Sequence, residues 1–373
     1  MMKKTKLKRM VWLDSVRGLA ILIVLTVHII QAVPRYHDAV SGCGKIGVWL
    51  LFLLTGFFTF RPYLKDEKKT DTDMERRKPG LSPGLKQKVL LYLGFYLKRI
   101  IRIYPAFTVV LAVSVFIGYL DVPEALKNFF LVEGRGHFWT LPVEMKFYLV
   151  TPLIAVAFSV LKKKKYRVLM LLFLVLMCSF IFFYKNCPEN SIRLGWYLPV
   201  LLSGGLLNYL ICNEHESING ATNPQNKKGS GSCICDAVVA LILLGFFLMV
   251  PGIRYVIFGI PVSRYLSDKY LYISLLWMIF LISLDRSRYI RPLFEKSRIL
   301  PFFGKISYSL YLVHYIVIQH LGLFIENQKL KSLMALIISL LLSLILEMTV
   351  ERPVMRLSKK LFGQTDRLTV LSL

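Results

Sequence analysis

Arg17 and His28 lie in one apolar stretch, residues 15–30, that has the length and character of a membrane-spanning helix. A helix turns about 100° per residue, so side chains at this spacing share one face and lie about 16 Å apart along the axis. Asp14 precedes Arg17 by one turn, which predicts an ion pair. Polar groups in a membrane helix face protein or water rather than lipid, so the three residues together on one stripe favour a functional role. The alternative is that Arg17 reaches the lipid headgroups and His28 only packs.

A buried carboxylate follows in the segment FWTLPVEMKFYLVTPL, residues 138–153. Glu144 is expected near the outer end of its helix, at a depth similar to that of His28, where it can orient or stabilise the imidazole. Tyr148 lies one turn further along the same face and is expected to contact substrate. An ionisable group inside a membrane helix is a functional candidate by default. The alternative is that Glu144 only neutralises nearby Lys146.

A second histidine helix is predicted from GKISYSLYLVHYIVI, residues 304–318. Tyr311 and His314 are three residues apart and share a face, so we expect both to contact substrate. A hydrogen-bonded packing role for His314 is an equally good interpretation.

Arg99 and Arg102 form a basic pair at the start of a further apolar stretch. Arginine offers forked donors to phosphate oxygens, so the pair suits a phosphate-bearing ligand. Anchoring to lipid phosphates is the alternative, and spacing alone favours it. The sequence contains no Walker loop, dinucleotide fingerprint, HExxH or GxSxG, so neither an ATP-driven pump nor a serine hydrolase is supported.

These residues require a bundle of membrane helices to position them. The chain has 373 residues, is 55% hydrophobic and has a mean hydropathy of +0.55. We predict an all-α membrane protein with about ten transmembrane helices and a cytoplasmic interfacial helix over 84–102, ahead of a span that starts at Tyr104-Pro105. Polar linkers are predicted at 65–83 and 213–232. The ten spans are 14–33, 45–64, 103–120, 139–161, 166–184, 193–212, 236–253, 266–284, 302–322 and 332–351.

The basic residues predict the orientation of the bundle. The net charge is +26, and the N-terminus with alternate connecting segments carries 35 Lys and Arg residues against 11 in the other segments. The positive-inside rule then places both termini in the cytoplasm of a plasma-membrane protein. This distribution explains the charge without nucleic acid. The six cysteines have no metal-site spacing. A disulfide between Cys43 and Cys187 is open, although two free thiols are favoured.

The ordered motifs resemble the acyltransferase-3 family of integral membrane O-acyltransferases along nearly the whole chain. The motifs are Arg17 with His28, Arg99-Ile-Ile-Arg102 before Tyr-Pro, FWTLPVEMKFYLVTPL, ISYSLYLVH, WLLFLLTGFF and the closing ERP at 351–353. The resemblance implies a membrane acyltransferase domain over 1–356 with a short cytoplasmic tail over 357–373. It also implies catalytic roles for Arg17, His28 and Glu144, and donor contacts for Arg17, Arg99 and Arg102. Thr55 stands where the family commonly has serine.

The activity implied is transfer of an acyl group, usually acetyl from cytoplasmic acetyl-CoA, to a hydroxyl of a cell-surface or exported carbohydrate. Acyl-CoA is then a co-substrate, and no permanently bound cofactor or metal is expected. Expected partners are membrane lipid, acyl-CoA and the carbohydrate acceptor, with a homodimer left open and no nucleic acid. His28 would act either as a general base or through an acyl-histidine intermediate. The alternative function is a multi-span transporter or flippase of a lipid-linked glycan, although no inverted repeat is evident.

Overall fold

The computed structural model describes residues 10–61, 85–161, 163–183, 187–220, 232–263 and 265–369. Regular structure in this part of the chain is helical, apart from one isolated bridge between Ser232 and Ser287. The helices are α1 (Val11–Gln31), α2 (Gly44–Phe60), α3 (Leu85–Phe116), α4 (Val122–Phe129), α5 (Thr140–Val160), α6 (Lys164–Phe183), α7 (Leu194–Gly220), α8 (Cys233–Leu248), α9 (Pro251–Phe258), α10 (Tyr270–Arg286), α11 (Ile290–Lys296), α12 (Ile299–Leu321), α13 (Gln328–Leu346) and α14 (Arg352–Thr369). A 3₁₀ turn, Gly136–Trp139, precedes α5, and a π-helical turn, Glu347–Glu351, joins α13 to α14.

The all-α membrane class is confirmed. Within the described ranges, six helical segments are long and apolar enough to cross a membrane, or seven if α8 and α9, bent by 88° at their junction, count as one broken span. Each of the ten predicted spans coincides largely with a helix. Ten membrane crossings are therefore a finer statement than helix length and composition establish.

The predicted break between an interfacial helix and the third span is absent. Helix α3 runs without interruption from Leu85 to Phe116 and contains Pro105 in its interior. Proline removes one helical hydrogen bond, but membrane helices tolerate it where neighbouring groups satisfy the backbone. The Tyr308 hydroxyl of α12 donates to the Ile103 carbonyl at 2.7 Å, close to the proline, and so ties the two helices together there.

The predicted linkers fall mostly outside the described residues. The 65–83 stretch does so entirely, as do residues 221–231 of the second linker. The start of that second prediction is wrong, because α7 continues as a helix to Gly220. Near the C-terminus, α14 runs across residue 356, where the tail was expected to begin. Cys43 and Cys187 are both free and buried, and burial raises the pKa of the Cys187 thiol.

The core is built around α1, which packs against both α2 and α12. Gly18 of α1 and Gly304 of α12 face each other at the second of these contacts. A Cβ on Gly18 would overlap the Leu300 carbonyl, and one on Gly304 would overlap the Asp14 carbonyl. Small residues let membrane helices approach closely. This close crossing brings the histidine of α1 within reach of the histidine of α12.

Candidate active site

His28 and His314 form a direct pair between α1 and α12. His28 Nδ1 lies 2.9 Å from His314 Nε2, and the ring centroids are 5.0 Å apart. His314 is fully buried, and its Nδ1 lies 2.9 Å from the carbonyl oxygens of Leu310 and Tyr311. The two carbonyl contacts lie within α12 and fix the His314 ring, and the contact with His28 joins α12 to α1.

The hydrogen-bond partners of the two imidazole rings determine which ring nitrogen of each carries the proton. Carbonyl oxygens only accept hydrogen bonds, so His314 Nδ1 must carry a proton, and Nε2 of a neutral His314 is then an acceptor. His28 Nδ1 therefore donates to His314 Nε2. The remaining nitrogen of His28, Nε2, keeps its lone pair in the neutral ring. His28 is consequently held in the tautomer that can accept a proton at Nε2.

His28 lines a cavity of about 270 Å³, named here the histidine cavity. Its lining combines imidazole, aromatic and polar side chains with one buried lysine. Lys45 Nζ lies 3.6 Å from Glu189, so that charge is balanced within the cavity. The lining residues are His28, Gln31, His37, Ser41, Gly42, Gly44, Lys45, Val48, Gly136, His137, Trp139, Glu189, Asn190, Tyr311 and Tyr315.

A second cavity, of about 100 Å³, contains the predicted arginines and is named here the arginine cavity. Three guanidinium groups face one carboxylate, that of Glu144, so the lining has a surplus of positive charge. The lining residues are Arg17, Val48, Leu51, Phe52, Leu54, Thr55, Phe58, Arg99, Arg102, Ile103, Thr140, Leu141, Glu144, Tyr148, Ser307, Tyr308 and Tyr311.

Aromatic rings hold two of these guanidinium groups in place. The Arg99 guanidinium carbon lies 4.7 Å from the centroid of the Tyr148 ring, and that of Arg17 lies 5.1 Å from the Phe58 ring. The predicted ion pair of Arg17 with Asp14 is confirmed at 4.0 Å. Guanidinium groups that stack on aromatic rings are weakly hydrated and offer forked donors, which suits a phosphate-bearing ligand.

The two cavities share two lining residues, Val48 and Tyr311. The Tyr311 hydroxyl is fixed by Thr140, whose Oγ1 donates to it at 2.9 Å, and by the His137 carbonyl, to which it donates. Arg17, near the start of α1, lines the arginine cavity, and His28, near the end of α1, lines the histidine cavity.

Glu144 does not lie where the sequence placed it. Its carboxylate accepts from Thr55 Oγ1 at 3.2 Å in the arginine cavity, and the hydrogen-bond partner of His28 is His314. The alternative pairing with Lys146 is also absent, because Lys146 donates to the Ile192 carbonyl at 3.0 Å. Glu144 thus lies among the arginines, away from the position of an orienting group for His28.

The three residues predicted to contact substrate, Tyr148, Tyr311 and His314, do not all line the same cavity. Tyr148 lines the arginine cavity, and Tyr311 lines both cavities. His314 lines neither of the two and lies behind His28, so its geometry suits a positioning residue.

Sequence reasoning missed His137 and Tyr315. His137 lies in the 3₁₀ turn one residue before the segment that drew attention to Glu144, and Tyr315 directly follows His314. The Tyr315 ring packs at 5.3 Å from both the His28 and the His137 rings, measured between centroids. A histidine at the entrance of an apolar helix is the signal that could have found His137.

His28, His137 and His314 are not arranged as a metal site. Both ring nitrogens of His314 are engaged in hydrogen bonds, as is Nε2 of His137, which donates to the Leu312 carbonyl at 2.9 Å. Across the described ranges, no group of three or more His, Cys, Asp or Glu side chains is placed to hold a metal ion.

Comparison with known proteins places the chain in a family. The acyltransferase domain (acyltransferase 3) matches residues 10–352. An uncharacterized protein of Haemophilus influenzae is 33% identical over 134 residues, covering 29% of this chain and 52% of the relative. The chain therefore matches about half the length of that relative. No solved structure matches. Because the family match extends over most of the chain, this membrane protein belongs to the acyltransferase-3 family.

Proposed function

We propose that the protein moves an acyl group, specifically acetyl, from cytoplasmic acyl-CoA to a hydroxyl of a cell-surface or exported carbohydrate. The observation that carries this proposal is the pair of cavities at opposite ends of α1, which share Val48 and Tyr311. One cavity is rich in arginine and the other contains an imidazole nitrogen with a free lone pair. Two substrates entering from opposite sides would meet beside His28.

The donor would bind at the arginine cavity. Its volume, about 100 Å³, is far smaller than coenzyme A, so it can take only the narrow thioester arm. The phosphates would remain at the mouth, where the exposed Arg102 and the stacked Arg99 can donate to them. The acyl carbon would then approach the junction at Tyr311.

The acceptor hydroxyl would enter through the histidine cavity. His28 Nε2 takes its proton as the oxygen attacks the thioester carbonyl, the carbon–sulfur bond breaks, and the proton passes to the departing thiolate. His314 Nε2 accepts from His28 Nδ1 throughout and stabilises the imidazolium formed in between. Glu144, held by Thr55 among the arginines, would help place those guanidinium groups around the donor.

This route requires an orientation in which α1 starts at the cytoplasmic side. Ten crossings with both termini in the cytoplasm satisfy it, as the 35-to-11 distribution of basic residues favours. The arginine cavity then opens toward the compartment that contains acyl-CoA, and the histidine cavity toward the surface glycans.

The test is mass spectrometry of surface carbohydrate from cells that produce equal amounts of the native protein or of His28→Ala. Acetyl mass on the glycan with the native protein, absent with His28→Ala, supports the proposal. Glycan that crosses the membrane without added acyl mass would identify the protein as a transporter and overturn it.

A further inference from the structure

His137 has a polar atom that the proposed transfer step does not use. The side chain is only 4% exposed, and its Nε2 donates to the Leu312 carbonyl at 2.9 Å. In the neutral ring Nδ1 is then an acceptor, and it has no hydrogen-bond partner among the described residues. A buried acceptor without a partner is costly in a folded protein unless a ligand or water satisfies it.

The position of His137 indicates which ligand that is. His137 and His28 line the same cavity, and both rings pack against Tyr315. The hydrogen bonds already described leave each of these neutral rings one nitrogen with a lone pair, Nε2 in His28 and Nδ1 in His137. Hydroxyl groups are the natural donors to such nitrogens.

The charges of the histidine cavity point to the same class of ligand. Lys45 is balanced by Glu189 at 3.6 Å, and the rest of the described lining consists of glycines, Val48 and polar, imidazole and aromatic side chains, with no other Lys, Arg, Asp or Glu. The arginine cavity, in contrast, has a surplus of positive charge. A neutral, hydroxyl-rich molecule fits the former and an anion fits the latter.

We propose that His137 Nδ1 binds a second hydroxyl of the acceptor, so that the acceptor must be a polyhydroxylated ring rather than a simple alcohol. The hydroxyl that is acylated donates to His28 Nε2, and another hydroxyl of the same molecule donates to His137 Nδ1. This inference rests on the proposed function and names the acceptor-binding residue that selects the substrate class.

Two variants separate the two nitrogens of His137. Gln in His137→Gln can keep a donor for the Leu312 carbonyl but removes the Nδ1 acceptor. Asn in His137→Asn places an amide oxygen near the position of Nδ1 but loses the contact with Leu312. His320→Gln, on the same helix as His314 but in the lining of neither cavity, is the matched control.

The experiment measures coenzyme A release from acetyl-CoA by the purified full chain in lipid nanodiscs. The probe acceptors are methyl glucopyranoside, methyl mannopyranoside, methyl galactopyranoside and their monodeoxy derivatives. We expect His137→Gln to raise the half-saturating glycoside concentration about tenfold, with a smaller change in His137→Asn and none in His320→Gln. One monodeoxy probe should lack the hydroxyl that donates to His137 Nδ1. With the native protein, its half-saturating concentration should be raised by a similar factor. For that probe, His137→Gln should cause no further increase.

Nitrogen-15 NMR of the native protein tests the contact without catalysis. We expect an unprotonated His137 Nδ1 whose resonance shifts when the glycoside is added. The proposal is overturned by a protonated or unshifted Nδ1, or by His137→Gln binding glycoside as well as His137→Asn or better. A shifted Nδ1 in a protein that cleaves no thioester would instead refute the proposed function and leave the binding site standing.

Discussion

His314 offers the sharpest perturbation, because its predicted role is confined to one hydrogen bond. His314→Leu removes the acceptor that faces His28 Nδ1 and replaces it with an apolar side chain of similar bulk. His28 Nδ1 then either becomes a buried donor without a partner or loses its proton to Nε2. In the second case the lone pair moves away from the histidine cavity, and the base is lost for the hydroxyl.

The hydrogen bond between His28 and His314 determines how large the expected loss of rate is. Leaving a buried donor unsatisfied costs about 1–3 kcal/mol, which corresponds to a rate loss of about 5- to 150-fold if the full cost falls on the transition state. General-base catalysis as a whole contributes about 10²–10⁴-fold, which bounds the effect from above. We therefore expect kcat to fall about tenfold to a hundredfold in His314→Leu, which is less than in His28→Ala.

The assay follows incorporation of labelled acetyl into surface carbohydrate by membrane vesicles that contain equal amounts of each variant. The dependence of rate on acetyl-CoA concentration should stay unchanged, since His314 lines neither of the two cavities. In His314→Gln the amide oxygen can accept from His28 Nδ1, so it should recover most of the rate. His320→Leu, on the same helix, is the control and should behave as the native protein does.

A native rate in correctly folded His314→Leu would refute the orienting role of His314. So would a change confined to the half-saturating acetyl-CoA concentration, because that would place His314 at the donor. Equal loss in His314→Leu and His314→Gln would mean that packing, not the hydrogen bond, matters at this position.

Three further predictions concern the donor, the helix crossing and the topology. The double variant Arg99→Ala, Arg102→Ala should weaken acetyl-CoA binding by a few kcal/mol, since hydrogen bonds to charged groups contribute about 1.5–3 kcal/mol each. Equilibrium binding of acetyl-CoA measures this change. An unchanged affinity would favour a lipid-anchoring role for the two arginines. Gly304→Leu should separate α1 from α12, lower the thermal unfolding temperature and abolish transfer, whereas Gly245→Leu, whose Cβ would meet open space, should do neither. Reporter fusions should place both termini in the cytoplasm, and an external C-terminus would overturn the assignment of the two cavities to their compartments.

The helices and part of the site could be predicted from the sequence, for identifiable reasons. Apolar stretches of about 20 residues determine where membrane helices lie, and each predicted span proved helical. The Asp14–Arg17 pair followed from helical spacing alone. Interactions within one helix are encoded in local periodicity, which a single sequence displays.

Interactions between helices were predicted poorly. Helix α5 is apolar on most of its surface, so neither its rotation nor the neighbour of Glu144 follows from periodicity. Depth along the membrane suggested His28 as that neighbour. In the structure, Thr55 is the hydrogen-bond partner of Glu144, and His314 is the hydrogen-bond partner of His28. The continuity of α3 through Pro105 likewise depends on the helices that pack around it. The contact between the His137 and Tyr315 rings also depends on how separate helices pack, which a single sequence does not display.

The central claim is that His28 performs proton transfer between a donor site and an acceptor site that meet beside it. Its most direct test is a paired measurement on His28→Ala, comparing the rate of acetyl transfer with the affinity for acetyl-CoA. The account predicts a loss of transfer of at least about 100-fold with donor affinity nearly unchanged, because the imidazole acts on the chemical step and lies outside the arginine cavity. Full activity in His28→Ala, or loss of transfer only in His314→Ala, would contradict it and move the catalytic role to α12.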